Sequence, residues 1–157
     1  QSLYFENFNE EMYKDSIEGT VPRKKIRVRN YPDDKNLLLY LEIKISSADG
    51  RYKTRKIIDE KKFNELKQTG IYDNQYGTCM PIIYVTYERQ YYQVDDVRIS
   101  IDENIKYQLF SGRELGHDNN SIVELKASIN KDRDNLLNDF PFQRTRFSKY
   151  CNAFEKI

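Results

Sequence analysis

Between residues 25 and 29 the chain alternates base and apolar residue without a break: Lys25, Ile26, Arg27, Val28, Arg29. In a strand, side chains at i, i+2 and i+4 share a face. Lys25, Arg27 and Arg29 therefore stand together, opposite Ile26 and Val28. The pattern recurs. Residues 37–45 set Leu37, Leu39, Leu41, Ile43 and Ile45 against Tyr40, Glu42 and Lys44. Residues 96–102 set Val97, Ile99 and Ile101 against Asp96, Arg98, Ser100 and Asp102. Residues 122–126 oppose Val123 and Leu125 to Glu124 and Lys126, and residues 83–91 align Tyr87 with Arg89. Strands with one apolar and one charged face fit two architectures. One is an antiparallel sheet packed on helices with its charges in water. The other is a barrel with a charged interior, since barrel strands alternate in the same way. Periodicity does not separate them.

The rest of the chain reads around these strands. Residues 1–20 form an acidic, turn-rich opening that ends at Pro22. Strands are expected at 24–31, 37–46, 51–58, 82–92, 96–103 and 121–128. Asp59 is placed to cap a helix over 60–68, with Gly70 beyond its end. Loops are expected at 71–80 and 111–120, and a turn near Asp95-Asp96. After residue 130 the pattern predicts a short helix, an irregular Phe-Pro-Phe segment and a closing helix. No repeat or linker divides the chain, so residues 1–157 are read as one domain.

Composition narrows the function classes. Bases and acids nearly cancel, 26 against 25, yet they are segregated. Residues 21–31 and 51–56 hold bases and no acid, while residues 1–20 hold five acids and one base. Local fields of this kind steer anions whatever the net charge. With 13 Tyr and 8 Phe the chain has the aromatic content of a folded protein. No apolar run is long enough to span a bilayer and no signal pattern opens the chain. Cys79 and Cys151 are too few for a disulfide framework and lack metal-site spacing, which suits a reducing cytoplasm. His117, the lone histidine, has no ligand partner nearby and is assigned no role. Gly112 and Gly116 flank no strand-to-helix phosphate loop, and Cys151 is read as packing. Glu42 is read either as an acid of the charged face or as an internal partner of Lys44 or a neighbouring arginine.

Six strings, in order, resemble one family. They are EGTVPRKKIRVRNY at 18–31, LYLEIK at 39–44, VTYERQYY at 85–92, VRISID at 97–102, VELK at 123–126 and RFSKY at 146–150. The family is the VTC domain, the polyphosphate polymerase domain of the vacuolar transporter chaperone complex. It belongs to the triphosphate tunnel superfamily. The resemblance implies an α+β fold, an antiparallel β-barrel with flanking helices around a charged lumen. It also implies a first strand ahead of Gln1, which this chain would lack. The implied activity is transfer of the ATP γ-phosphoryl group to a polyphosphate chain. A metal-dependent triphosphatase and a non-catalytic polyanion-binding module are the alternatives.

By position, the resemblance implies catalytic roles for Arg27, Arg29, Lys44, Arg89, Arg98 and Lys149. It implies substrate binding by Lys25, Tyr87, Lys126, Arg146 and Ser148, with Arg146 standing where some members have lysine. Glu124 would hold Mn²⁺ or Mg²⁺. These residue types suit phosphoryl transfer, in which positioning and charge neutralisation dominate. Guanidinium groups grip phosphate oxygens in pairs, lysines act as point charges, and a carboxylate suits a hard cation. The implied partners are ATP and polyphosphate, not nucleic acid. The expected location is the cytoplasm, with a membrane-protein partner as a route to the membrane.

Overall fold

The computed structural model describes residues 1–32, 37–127, 140 and 143–157. Its strands are β1 (Ser2–Asn7), β2 (Arg23–Arg29), β3 (Leu39–Ser47), β4 (Gly50–Ile58), β5 (Ile71–Asp73), β6 (Gly77–Val94), β7 (Val97–Leu109), β8 (Glu114–Asp118) and β9 (Ile122–Lys126). Its helices are α1 (Glu11–Glu18), α2 (Glu60–Thr69) and α3 (Lys149–Phe154). The strands form one antiparallel sheet in the order β4-β3-β2-β1-β6-β7-β8. β5 adds to β6, and β9 pairs with the distal half of β7 beyond β8.

The register sorts side chains as the alternation predicts. Val28 lies opposite Leu3 and Leu41, and Ile26 opposite Phe5 and Ile43. This apolar face receives α2, whose Phe63 closes a cavity of about 50 Å³ with Leu3, Val28, Leu39 and Tyr84. Leu3, Phe5, Ile26 and Val28 are each 2% exposed or less. Burying a side chain of that size contributes about 1.5–3 kcal/mol. Asp59 caps α2 by accepting from the Lys62 amide at 2.6 Å, as its position predicts.

The other face carries the charges, and α1 and α3 cover one end of it. Glu6 joins three elements there. Its carboxylate accepts from the backbone N–H of Asn7 (2.9 Å), Met12 (3.1 Å) and Tyr13 (3.0 Å), and from the Tyr150 hydroxyl. It thus serves the unpaired amides at the start of α1. Tyr13 stacks on Phe154 with centroids 4.9 Å apart, which fastens α1 to α3.

Three expectations are corrected. The barrel does not close: β4 and the β8–β9 side are separate edges, and no pairing joins them among the described residues. Alternation is blind to closure, and β4 has a physical reason to remain an edge. Arg51, Lys53, Arg55 and Lys56 make it a charged, exposed strand, the usual guard against edge pairing. Secondly, the opening is not turn-rich but holds β1 and α1. A strand therefore does precede the basic one, though it contains no base. Every residue of β1 is buried, although Ser2, Tyr4 and Glu6 alternate with Leu3 and Phe5, and the stretch is only six residues long. Thirdly, the expected loops at 71–80 and 111–120 contain β5, the start of β6, and β8, where His117 pairs opposite Lys106. The closing helix is α3. The short helix expected after residue 130, and most of the Phe-Pro-Phe segment, lie outside the described residues.

Gly70 ends α2 at φ 76°, and a Cβ there would stand 2.6 Å from the Cys79 carbonyl oxygen and 2.7 Å from Met80 Sδ. Gly70→Ala is expected to lower stability by more than about 1 kcal/mol, read as a lower midpoint in urea. An unchanged midpoint would contradict the close approach of α2's end to β6.

Candidate functional site: a cationic sheet face

The charged face is a grid set by the strand registers. On β2 stand Lys25, Arg27 and Arg29, opposite Lys44, Glu42 and Tyr40 of β3. Lys53 and Arg55 of β4 face Lys44 and Glu42, and Tyr4 of β1 faces Arg27. Arg27 is buried, and each of its three nitrogens has a partner. Its Nε and Nη2 donate to Glu42 Oε2 at 2.8 and 2.6 Å, and its Nη1 to the Tyr4 hydroxyl at 3.0 Å. The other Glu42 oxygen meets Lys53 and, at 3.4 Å, Arg55. Burial alone would push the Glu42 carboxyl up, but Arg27 and Lys53 bring it down to about 2. Glu42 is thus an internal partner, of Arg27 rather than Lys44.

Beside this pair, three cations from separate elements converge on the Tyr87 ring. Arg29 of β2 donates through Nη2 to the Tyr87 hydroxyl, and its guanidinium lies 5.2 Å from the ring. Arg89 of β6 lies 5.2 Å from the same ring, and Lys149 of α3 4.7 Å from it. Asp102 of β7, 1% exposed, holds the latter two in place. Arg89 grips it with a fork, Nη2 to Oδ2 at 2.6 Å and Nε to Oδ1, and Lys149 Nζ donates to Oδ2. Burial opposes a charge on Asp102, yet Arg89 and Lys149 hold its carboxyl below the usual range. Arg29 differs from both Arg27 and Arg89. It is 7% exposed, and its buried Nε has no hydrogen-bond partner among the described residues.

The covered end adds Lys25, whose Nζ donates to Ser148 Oγ at 2.8 Å and lies 3.9 Å from Cys151 Sγ. Ser148 is the N-cap of α3 and accepts from the Cys151 amide at 3.3 Å, so it positions Lys149 one residue on. Arg146 donates to the Ser16 carbonyl at 2.5 Å. The field over this region is positive. Burial lowers the Lys25 pKa, and Arg23 and Arg146 lower it further. Lys44 is exposed by surface, yet protein crowding removes enough water, and Arg27 adds enough charge, to bring its pKa down to about 8. The Tyr4 phenol is the clearest reporter. Burial should raise its pKa, but Arg27, Lys44 and Lys25 together lower it.

A family model of the VTC domain matches residues 1–157, the whole chain. The chain belongs to the VTC domain family. That family is associated with polyphosphate polymerase activity. No curated protein matches the chain.

Not every residue expected to act in this VTC domain joins the cluster. Arg98 is exposed near the Asp95-Asp96 turn, four residues along β7 from Asp102, or about 13 Å at roughly 3.3 Å per residue. Lys126, opposite Arg98, ion-pairs with Glu124 at 3.3 Å. Glu124 is about half exposed and 3.8 Å from Arg89 Nη2, at the margin of the cluster. Among the described residues no three His, Cys, Asp or Glu side chains could together hold a metal ion. Asp102 is consumed by Arg89 and Lys149. Glu124 would therefore offer a single protein ligand to a hard cation, leaving its other positions to oxygens from outside the protein, as Mg²⁺ commonly accepts. It does not fit a resident, protein-caged ion. A cavity of about 490 Å³ lies elsewhere, between Glu103, Lys106, His117, Asp118 and Ser121. It holds one of the domain's many cations, and the chemistry of the charged face does not extend to it.

Sequence reasoning assigned no role to Tyr4, Glu6 or Asp102. Asp102 was within reach, because it shares the alternating face of Arg98 and Ser100 and some acid had to balance Arg89. Removing one member of a buried pair strands the other, so Glu42→Ala is expected to cost about 3–5 kcal/mol in urea unfolding. Arg27→Met with Glu42→Leu should recover most of the loss. The Glu42 carboxyl titrates below its unfolded value, so its contribution is complete above the ordinary carboxylate range and is lost as pH falls toward about 2. Glu42→Gln should flatten that acid limb; an unaltered limb would count against the assignment.

Proposed function

We propose that this domain binds a phosphate chain along its cationic face and transfers the ATP γ-phosphoryl group to the end of that chain. The observation that carries the reading is Arg29: a buried guanidinium with an unused Nε donor, beside Arg89 and Lys149 on one tyrosine ring. A buried donor without an acceptor is unfavourable by about 1–3 kcal/mol, and an anion would supply the acceptor. Arg29, Arg89 and Lys149 would grip the reacting phosphates, with Lys25, Lys44 and Arg146 extending the positive field along the chain. Arg27, each nitrogen already bonded to Glu42 or Tyr4, lends charge more than donors. Tyr87 orients the three cations, and Ser148 fixes the start of α3.

In the transfer, an oxygen of the acceptor's terminal phosphate bonds to the γ-phosphorus as the bond from that phosphorus to the β–γ bridging oxygen breaks. ADP leaves with the bridging oxygen. The domain's part is to align the two phosphates and offset their repulsion, and no side-chain nucleophile is needed. Mn²⁺ or Mg²⁺ beside Glu124 would add charge neutralisation. A triphosphatase would differ only in accepting water. The non-catalytic reading has its own support, since the sheet is open and Arg27 and Arg89 are internally paired. Among the described residues no helix is long and apolar enough to cross a membrane. Attachment through a membrane-protein partner stays part of the proposal.

Tripolyphosphate should bind with an affinity that falls steeply with salt, by analogy with counterion release from nucleic acids. Arg29→Ala should weaken it roughly tenfold or more, the worth of a charge-assisted hydrogen bond. An anion stabilises the charged form of Lys44, so affinity should also drop as pH rises through about 8, and Lys44→Arg should flatten that drop. Calorimetric titration measures all three. Unchanged binding by Arg29→Ala would defeat the site.

Glu124→Gln separates the enzyme from the binder. It removes a negative charge from a positive face, so metal-free anion binding should hold or tighten. Metal-dependent polyphosphate formation from ATP should fall by at least about a hundredfold, since the metal is worth several kcal/mol in the transition state. A wild-type domain that binds the anion but forms neither polyphosphate nor free phosphate with either metal is a binder.

A further inference from the structure

At the uncovered end of the cationic face, two tyrosines and two guanidiniums interleave. Tyr40 lies opposite Arg29 in the sheet register, and its ring meets that of Tyr31 edge-on, centroids 6.0 Å apart at 73°. The Arg55 guanidinium lies over Tyr40, 3.5 Å from the ring centroid, and 5.8 Å from Tyr31. Arg29 lies 5.0 Å from Tyr31 on its way to Tyr87. Tyr31 and Tyr40 are half-buried, and neither hydroxyl makes a hydrogen bond among the described residues. Arg55 is 41% exposed. The phosphate grip proposed above accounts for Arg29, and it uses neither tyrosine.

We propose that Tyr31, Tyr40 and Arg55 form a platform on which the base of a nucleoside triphosphate stacks. This rests on the reading of Arg29 as a phosphate donor. Tyrosine rings and arginine planes are the common surfaces for a base, because every base offers a flat π-face. The placement is what selects a nucleotide over an inorganic chain here. Tyr31 touches both Arg29, where phosphate would be gripped, and Arg55, so a base and its phosphates fit on neighbouring parts of one face. The Arg55–Tyr40 stack prepays the ordering of a long, flexible side chain. The arrangement also gives the site a direction: the nucleoside lies toward Tyr31 and Tyr40, and the terminal phosphate points toward Tyr87 and Lys149.

Titration calorimetry of the whole chain with ATP and with ribose 5′-triphosphate, at fixed Mg²⁺, isolates the base, since both carry the same esterified triphosphate. ATP should bind about tenfold more tightly, the scale of one stacked base. Tyr31→Leu and Tyr40→Leu should bring ATP to within about twofold of ribose 5′-triphosphate and leave the latter's affinity nearly unchanged, which also shows that the variants fold. Should they not fold, the wild type decides alone: 1,N6-etheno-ATP should lose fluorescence on binding through stacking. Equal affinities for the two triphosphates, or undimmed etheno-ATP, would overturn the platform and leave the anion site standing. An ATP advantage that survives both substitutions would place the base elsewhere and overturn it too. If neither triphosphate binds, the phosphate reading fails and the platform with it.

Discussion

The ion pair of Arg27 with Glu42 is the constraint on which the charged face depends. A sheet cannot gather Lys25, Arg27, Arg29, Lys44, Lys53 and Arg55 on neighbouring strands unless some of that charge is cancelled inside the protein. Glu42, wholly buried, does so by taking two donors from Arg27 and further contacts from Lys53 and Arg55. Coulombic attraction of this kind seldom exceeds the desolvation of both ions by much. Its value here is positional. It fixes the β2–β3–β4 register on the charged side while Ile26, Val28, Leu41 and Ile43 fix it on the apolar side. Asp102 plays the same part on β7, binding Arg89 and Lys149.

These two carboxylates divide the cations into spent and available. Arg27 and Arg89 each have Nε and Nη2 committed to a carboxylate and act chiefly through field. Arg29 retains a buried donor, and Lys25 and Lys44 carry depressed pKa values that an anion would restore. Burial should raise the pKa of Tyr4, yet Arg27, Lys44 and Lys25 lower it, which fits a face whose positive charge is only partly cancelled. An interior left positive in this way is suited to an anionic ligand with several charges, and it agrees with membership of a family associated with polyphosphate polymerase activity.

Much of this was legible in the residues. Lys25, Arg27 and Arg29 share a face because alternation on a half-buried strand allows nothing else, and the α2 cap at Asp59 follows from its side chain. β1 was not read from the residues, because the alternation of Ser2, Tyr4 and Glu6 with Leu3 and Phe5 covers only five positions and SLYFEN could equally be a turn-flanked fragment. Closure was not legible either, since an open sheet and a barrel write the same alternation. Alternation puts Arg98 on the same face of β7 as Asp102 but does not tell that it is exposed beside the Asp95-Asp96 turn, four residues along the strand. Asp102 and Glu6 were missed because an acid amid bases or apolar residues reveals its partner only once the chain is folded.

The most direct test of the central claim is side-chain NMR of the arginine Nε–H groups, with Arg29 assigned through Arg29→Lys, while tripolyphosphate is added. Arg29 enters the account as the one of these arginines with an unused buried donor. Its Nε–H resonance should therefore move furthest downfield and slow in exchange with water, while those of Arg27 and Arg89, already bonded to carboxylates, move little. If Arg29 stays still while exposed arginines such as Arg98 shift, the anion gathers on the surface and the face is not the site.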